Sequence, residues 1–287
     1  MTVRAPSAML LALSVGMFWS APAQGQWMEP PGVGWLDLTV YHQDTRTWYD
    51  PRGEVREILG EGHVENVSVF LTATFGIVPG VDAWLQAPFH RLRFTDTRRT
   101  LRSSGVGDAL VHLRIAPLRP LGWDLPLAVR GGAKVPMTEF EVDPSVIPLG
   151  DGQTDWELLL ELGHSFYPVP AYVSGWIGHR WRSPNPELRR DFANEAFFLV
   201  QAGGQWSRLG TDLVVEGMRS VEDPIFEGIP LSTTRRAILE LSPGVSIRVG
   251  GGTLGTGVRV PVLGRNLPAG PSWILGYFTR WSLVGEG

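Results

Sequence analysis

Apolar and polar residues alternate along twelve segments of the chain, each bounded by Gly, Pro, Asn or Asp. Because every second residue of a β-strand faces the same side, this alternation predicts strands. Most of the segments are longer than the roughly five or six residues of an ordinary strand, and they reach the nine to eleven or so that a tilted membrane-spanning strand needs. The predicted strands are 35–43, 64–76, 81–91, 105–116, 125–136, 153–164, 170–182, 192–206, 211–221, 234–248, 253–262 and 273–284.

The two faces of these strands differ in chemistry. In 153–164, Leu158 and Leu160 lie on one face, while Asp155 and Glu157 lie on the other. Ionised groups on the second face suit a barrel with lipid outside and a polar lumen. A soluble periplasmic β-sandwich or lipocalin-like binder, which would turn the charged face to water, is the alternative.

The connections between the predicted strands alternate between long and short. The long or charged ones are 44–63, 92–104, 137–152, 183–191, 222–233 and 263–272, and the shorter ones are 77–80, 117–124, 165–169, 207–210 and 249–252. Outer-membrane barrels have short periplasmic turns and long external loops, and an even strand number leaves both termini in the periplasm. The pattern therefore predicts an all-β fold, a single antiparallel up-and-down transmembrane β-barrel of about twelve strands.

The first 25 residues match a secretory signal peptide. Arg4 precedes an apolar run from Ala8 to Trp19, and small residues follow it, with Ala21-Pro22-Ala23 as one candidate cleavage site. The apolar run is too short for a helix that spans a membrane. We therefore expect residues 1–25 to be removed and 26–287 to form the barrel, in the outer membrane.

Composition excludes several classes of protein. The chain has 35 Gly and 23 Pro, which argues against a helical bundle. It has no Cys, so disulfide scaffolds, cysteine metal sites and cysteine nucleophiles are excluded. Its formal net charge of −4 gives no general basic surface, so we expect no nucleic-acid partner.

Four short motifs resemble a known family of outer-membrane barrels, the one named after the MetA pathway of phenol degradation. They are Gly105-Val106-Gly107-Asp108, Gly131-Gly132-Ala133-Lys134-Val135-Pro136, Gly150-Asp151-Gly152-Gln153-Thr154-Asp155-Trp156 and Gly175-Trp176-Ile177-Gly178-His179-Arg180. The resemblance implies a barrel and a transport role. Two departures stand out: Pro136 is followed by Met137-Thr138 instead of Thr-Gly, and the chain does not end on the aromatic residue that many such barrels present to the assembly machinery.

The charged faces supply the candidate pore-lining residues. We predict that the lumen is lined by Asp108, His112, Arg114, Arg130, Lys134, Asp155, Glu157, Glu161, Arg236 and Glu240. These groups could form a charged constriction that filters solutes. Alternatively, they could form a network of structural ion pairs that stiffens the wall.

Other candidate chemistry is weaker. His164-Ser165 suggests a phospholipase-like barrel enzyme, but adjacent strand residues point to opposite faces, and we expect no catalytic residues. His112 and His179 lack metal-ligand spacing, so we expect no metal and no cofactor. An arginine group in or beside a predicted external loop could bind lipopolysaccharide phosphates or simply be solvated: Arg91, Arg93, Arg98, Arg99 and Arg102.

The function predicted from the sequence is that of an outer-membrane transporter or channel for small solutes, hydrophobic or aromatic ones among them. Twelve strands lie between the eight whose interior is filled and the sixteen or so that leave an aqueous channel, so we expect a narrow or loop-plugged pore. The expected partners are outer-membrane lipid and lipopolysaccharide, the barrel-assembly machinery, and the small-molecule solute.

Overall fold

All twelve alternating segments form strands of one sheet. The computed structural model describes residues 28–123, 125–138, 145–185, 187 and 189–283, so the predicted signal peptide 1–25 lies outside the described residues. The strands are β1 (Val33–Thr45), β2 (His63–Val78), β3 (Val81–Thr95), β4 (Thr100–Val106 and Ala109–Ile115), β5 (Leu127–Val135), β6 (Asp155–Ser165), β7 (Ala171–Arg182), β8 (Glu195–Trp206), β9 (Leu209–Ser220), β10 (Ala237–Val249), β11 (Gly252–Arg265) and β12 (Ser272–Ser282).

The sheet closes into a barrel. Each strand pairs antiparallel with the strands before and after it, and β1 pairs with both β2 and β12. β4 has two segments because the ladder is interrupted at Gly107 and Asp108, and both segments pair with β3. The predicted fold class, an antiparallel barrel of twelve strands, is confirmed.

Long connections gather at one end of the barrel, which by analogy with outer-membrane barrels is the extracellular end. This end has 46–62, 136–154, 183–194, 221–236 and 266–271 together with the four-residue turn 96–99, whereas the other end has 79–80, 116–126, 166–170, 207–208 and 250–251. Two of these connections differ in length from the prediction. β3 and β4 extend into the predicted loop 92–104 and leave a tight turn at 96–99, and 116–126 is lengthened by a short 3₁₀-helix at Arg119–Leu121.

The outward face of the barrel is apolar between two aromatic rims. On β12, Trp273 and Trp281 face outward at opposite ends, and on β7 and β8 Trp181 and Trp206 do the same. This arrangement is typical of a surface embedded in a bilayer, with aromatic girdles at both interfaces. The strands close into one barrel with their apolar residues outside, so the soluble-sandwich alternative is wrong. Separately, the described residues contain no helix that is long and apolar enough to span a membrane.

A charge placed on this apolar band tests its contact with lipid. Leu213 faces outward near the middle of β9, and Leu209 faces outward at the periplasmic end of the same strand. We expect Leu213→Arg to lower the unfolding free energy in vesicles by about 2–4 kcal/mol, and Leu209→Arg by about 0–1 kcal/mol. Denaturant unfolding followed by tryptophan fluorescence measures both. Equal losses of unfolding free energy for the two variants would contradict the assignment of the apolar outer surface to the lipid bilayer.

Many side chains on the inward face are buried. Trp84, Phe70 and Leu199 are almost completely buried, and so are polar groups such as Thr39 and Gln201. These side chains occupy part of the interior. The narrow or loop-plugged pore stays a prediction.

Candidate functional site: the barrel interior

The residues predicted to line the lumen lie on the inner side of the barrel. Nine of the ten are buried: Asp108, His112, Arg114, Arg130, Lys134, Asp155, Glu157, Glu161 and Glu240. The tenth, Arg236, precedes β10 at the extracellular end, and its guanidinium contacts Glu195 inside the barrel. Their part in a solute pathway stays a prediction.

Lys134 is the centre of the extracellular part of this interior. Its ammonium is completely buried, 2.8 Å from an oxygen of Asp155 and 3.3 Å from one of Asp108, and it also contacts Asp151. Arg182 approaches the same group from β7, with Nη2 at 2.6 Å from Asp151 and Nε at 3.3 Å from Asp155. Buried charges need partners of this kind, because an unpaired one would be strongly destabilising.

Ion pairs continue down the same side of the barrel. Halfway down, Glu157 accepts from Arg180 at 2.6 Å and contacts His112 Nε2 at 2.9 Å. Nearer the periplasm, Arg114 donates to Asp82 at 2.7 Å, with Glu161 at 3.4 Å from its other terminal nitrogen.

Positive and negative groups nearly balance along this side. We call it the ion-pair wall: Arg114, Arg130, Lys134, Arg180, Arg182 and Arg236 with Asp82, Asp108, Asp151, Asp155, Glu157, Glu161 and Glu195. With every cation within an ion pair, the wall offers little net field to attract a charged solute. This geometry corresponds to the second alternative for these residues, a network of structural ion pairs.

Part of the loop 136–154 is inserted into the extracellular mouth. Ile147 packs in an apolar cluster with Val64, Leu92 and Phe94. Four residues later, the loop places Asp151 between Lys134 and Arg182.

Two glycines permit this insertion. A Cβ on Gly107 would lie 2.5 Å from the ring of His90 and 2.8 Å from the carbonyl oxygen of Leu149, and a Cβ on Gly150 would overlap the carboxylate of Asp108. The backbone N–H of Asp151 donates to Asp108 at 2.8 Å. The Gly-rich motifs that carried the family resemblance thus hold the loop against β4.

Electrostatics keeps Asp151 ionised. Burial alone would raise the pKa of its carboxyl, but the neighbouring Arg182 and Lys134 outweigh burial and hold this pKa well below its usual range. The folded protein therefore binds the Asp151 proton less tightly than the unfolded chain does. The stabilisation is present above the unfolded pKa and is lost only as the pH falls below it.

The opposite side of the interior has backbone where side chains would normally be. Six inward positions on five neighbouring strands are glycine: Gly203, Gly210, Gly244, Gly255, Gly257 and Gly276. They fall in two consecutive rows of the strand register, and we call them the glycine wall. Sequence reasoning missed this wall, although glycines on alternate residues of β11 were a visible signal.

Uncharged polar groups lie beside the glycine wall. Gln201, Gln205 and Ser242 point inward, and within the described residues no partner satisfies the Oε1 atoms of the two glutamines or the Oγ of the serine. Buried polar atoms of this kind need an explanation, because nearly all such groups in folded proteins are hydrogen-bonded.

A second small ionic group was only partly anticipated. Glu240, which was predicted, faces Glu216 directly across the β9–β10 ladder. Arg259 forms an ion pair with each carboxylate, with nitrogen–oxygen distances of 2.5 Å to Glu216 and 3.3 Å to Glu240. Sequence reasoning missed Glu216 and Arg259, although both lie on the polar face of a predicted strand.

The remaining candidates are scattered. His164 faces outward and packs its ring against Phe166 at 4.8 Å, whereas Ser165 lies on the other face, so the two do not form a nucleophile–base pair. In the arginine group, Arg93 lies on the outer face of β3, 3.8 Å from Glu65. The backbone N–H groups of Arg98 and Arg99 donate to Asp96 in the turn.

Comparisons with known proteins agree on the fold. No model of a known protein family matches the chain, and no curated protein sequence matches it. The chain superimposes on the crystal structure of an outer membrane channel from Pseudomonas putida F1 with a TM-score of 0.74 and 12% identity, over 91% of this chain and 100% of that one.

Weaker similarities have TM-scores below 0.5. The β domain of the Bordetella autotransporter BrkA gives 0.47 at 14% identity, over 88% of this chain and 100% of that one. The Ralstonia pickettii toluene transporter TbuX gives 0.44 at 10% identity, over 91% and 92%. The superposition at a TM-score of 0.74 is the one that supports the fold of an outer-membrane β-barrel, in agreement with the apolar outer face.

Proposed function

We propose that this protein is an outer-membrane channel for small, uncharged solutes, hydrophobic and aromatic compounds among them. In this proposal the conformation described above is the closed one. The finer assignment to the family named after the MetA pathway of phenol degradation is part of the same proposal. Support comes from the division of the interior into the ion-pair wall and the glycine wall.

The glycine wall is the observation that carries the proposal. A barrel interior with a purely structural role is filled by side chains from all sides, as in eight-stranded barrels. Here six inward positions on one side are glycine and carry no side chain, so small movements of the groups opposite would free a path. The unpartnered oxygens of Gln201, Gln205 and Ser242 lie along this path and could accept hydrogen bonds from a solute or its water.

The ion-pair wall supports the preference for uncharged solutes. Its cations and carboxylates neutralise one another over the height of the barrel, unlike the rings of like charge that select ions. An ion entering this lumen would have to break existing pairs, whereas an uncharged molecule would not. In this proposal the predicted pore-lining residues other than Glu240 form one side of the pathway and are not binding groups for a charged solute.

The inserted loop accounts for closure. Asp151 fixes the segment 145–154 across the extracellular mouth through Lys134, Arg182 and Asp108. The contact is polar and local, so it can be broken without disturbing the strand ladder. Opening would require this loop to leave the mouth.

Liposome swelling tests the proposal on a matched pair of variants. Ser246 faces inward beside the glycine wall, and its neighbour Val245 faces the membrane. We expect reconstituted protein to admit small uncharged solutes faster than organic ions of similar size. Ser246→Phe should abolish most of this swelling and Val245→Phe should leave it unchanged. Vesicles that swell no faster than protein-free ones, with wild type and with a variant lacking the Asp151 carboxylate, would overturn the proposal.

A further inference from the structure

A groove runs across the membrane-facing surface of β7 to β11, close to the extracellular end. Two adjacent outward rows of the strand register form it. In the row nearer the extracellular end, each residue pairs with one on the next strand, so that basic and small side chains alternate. From β7 to β11 this row is His179, Ala196, Arg219, Ala237 and Arg265. We call this the basic row.

The row below it is apolar. It pairs Ile177, Phe198, Gly217, Leu239 and Leu263 across the same strands. Gly217 forms the floor of the groove, because a Cβ at this position would lie 2.6 Å from the ring of Phe198. Together the two rows line a cavity of about 1060 Å³. Large side chains such as Ile177 and Leu263, each more than 60% exposed, line its length.

Within the described ranges, neither Arg219 nor Arg265 forms an ion pair, and Arg52 from the loop 46–62 reaches the same groove. Lipid-facing charges are costly in the middle of a bilayer and become tolerable near its interfaces. Arg219 is the last residue but one of β9, and Arg265 is the last of β11, so both lie at headgroup level.

We propose that this groove is a binding site for lipopolysaccharide, the phosphorylated and multiply acylated glycolipid of the outer leaflet. Arginine pairs with phosphate through charge-assisted, often bidentate hydrogen bonds. Arg219 and Arg265 are on alternate strands, so their backbones are about 10 Å apart, twice the usual strand spacing. A ligand that pairs with both needs phosphates at separate points of a broad headgroup, which a phospholipid with one phosphate lacks. Acyl chains would lie along the apolar row over Gly217.

Binding of defined lipids to the refolded barrel in detergent tests the site. The probes are purified lipopolysaccharide, its dephosphorylated form and phosphatidylglycerol, with binding measured by native mass spectrometry. We expect Arg219→Gln with Arg265→Gln to weaken lipopolysaccharide binding by about tenfold for each arginine lost. Dephosphorylation of the lipid should weaken binding to the wild type to a similar degree.

Two controls make the test specific. Arg208 and Arg248 are exposed arginines at the periplasmic end, and their replacement by Gln should leave binding unchanged. Gly217→Val should weaken binding by displacing the ring of Phe198, whereas Gly131→Val, where a Cβ meets nothing closer than 3.7 Å, should not. Heat-modifiability on a gel verifies that each variant is folded.

Three results would overturn the proposal. One is an equal loss of binding when the periplasmic arginines are replaced, because attraction would then depend on overall charge. Another is undiminished binding when both groove arginines are replaced. The third is phosphatidylglycerol binding as tightly as lipopolysaccharide. Solute flux should be unaffected in the groove variants, so this test is independent of the proposed function.

Discussion

Lys134→Ala is expected to lower the unfolding free energy of the barrel by about 3–5 kcal/mol, because removal of one partner leaves buried charges uncompensated. The ammonium of Lys134 lies among Asp108, Asp151 and Asp155, and Arg182 then remains as the cation beside these carboxylates. Denaturant unfolding in lipid vesicles, followed by tryptophan fluorescence, measures the change.

Two comparisons interpret that measurement. Arg208→Ala removes an exposed cation at the periplasmic end and should change the unfolding free energy by less than about 1 kcal/mol. If the Lys134→Ala chain does not refold, adding Asp108→Asn and Asp155→Asn should restore folding, since these changes remove the unpaired charges. A loss of under about 1 kcal/mol for Lys134→Ala would show that the ion pairs around it contribute little.

The alternation of apolar and polar residues was sufficient to predict every barrel strand. In β6, Leu158, Leu160 and Leu162 face lipid, and Glu157 and Glu161 face inward. A membrane barrel makes this pattern unusually reliable, because one face of each strand must be apolar over the whole bilayer thickness. The same rule predicts directly whether each charged residue lies on the inner or the outer face of its strand.

The partners of those charges could not be predicted in the same way. Arg182 pairs across the ladder with Asp155, but it also contacts Asp151 from an external loop and Glu195 from β8. These contacts depend on strand register and on the path of a loop, and neither is encoded in the period of a single strand. In the sequence, Asp151 stands out only as part of a Gly-rich motif.

Features that span several strands were missed for the same reason. The glycine wall brings together residues from β8 to β12, and the basic row brings together His179, Arg219 and Arg265 from three strands that are not adjacent in sequence. Each member looks ordinary within its own strand. Only the register aligns them, so both candidate sites emerged from the structure.

The other large effect is expected from Asp151→Ala, which should release the inserted loop and increase solute entry into liposomes several-fold. The carboxylate of Asp151 connects the loop to Lys134 and Arg182. Lys134 retains Asp108 and Asp155 as partners, so the loss of stability should be far smaller than for Lys134→Ala. Swelling with small uncharged solutes measures the change in entry.

Lys134 itself can report whether the loop has moved. It is the only lysine in the chain, and its side chain is fully buried in the closed structure. An amine-acylating reagent should therefore leave Lys134 unmodified in the wild type and modify it in Asp151→Ala, as peptide mass mapping would reveal. Asp96→Ala, which removes a carboxylate that accepts hydrogen bonds from the backbone of its own turn at 96–99, is the matched control and should change neither labelling nor swelling. Labelling of Lys134 without faster swelling would mean that the loop does not control entry, and that the barrier lies deeper, among side chains such as Trp84 and Leu199.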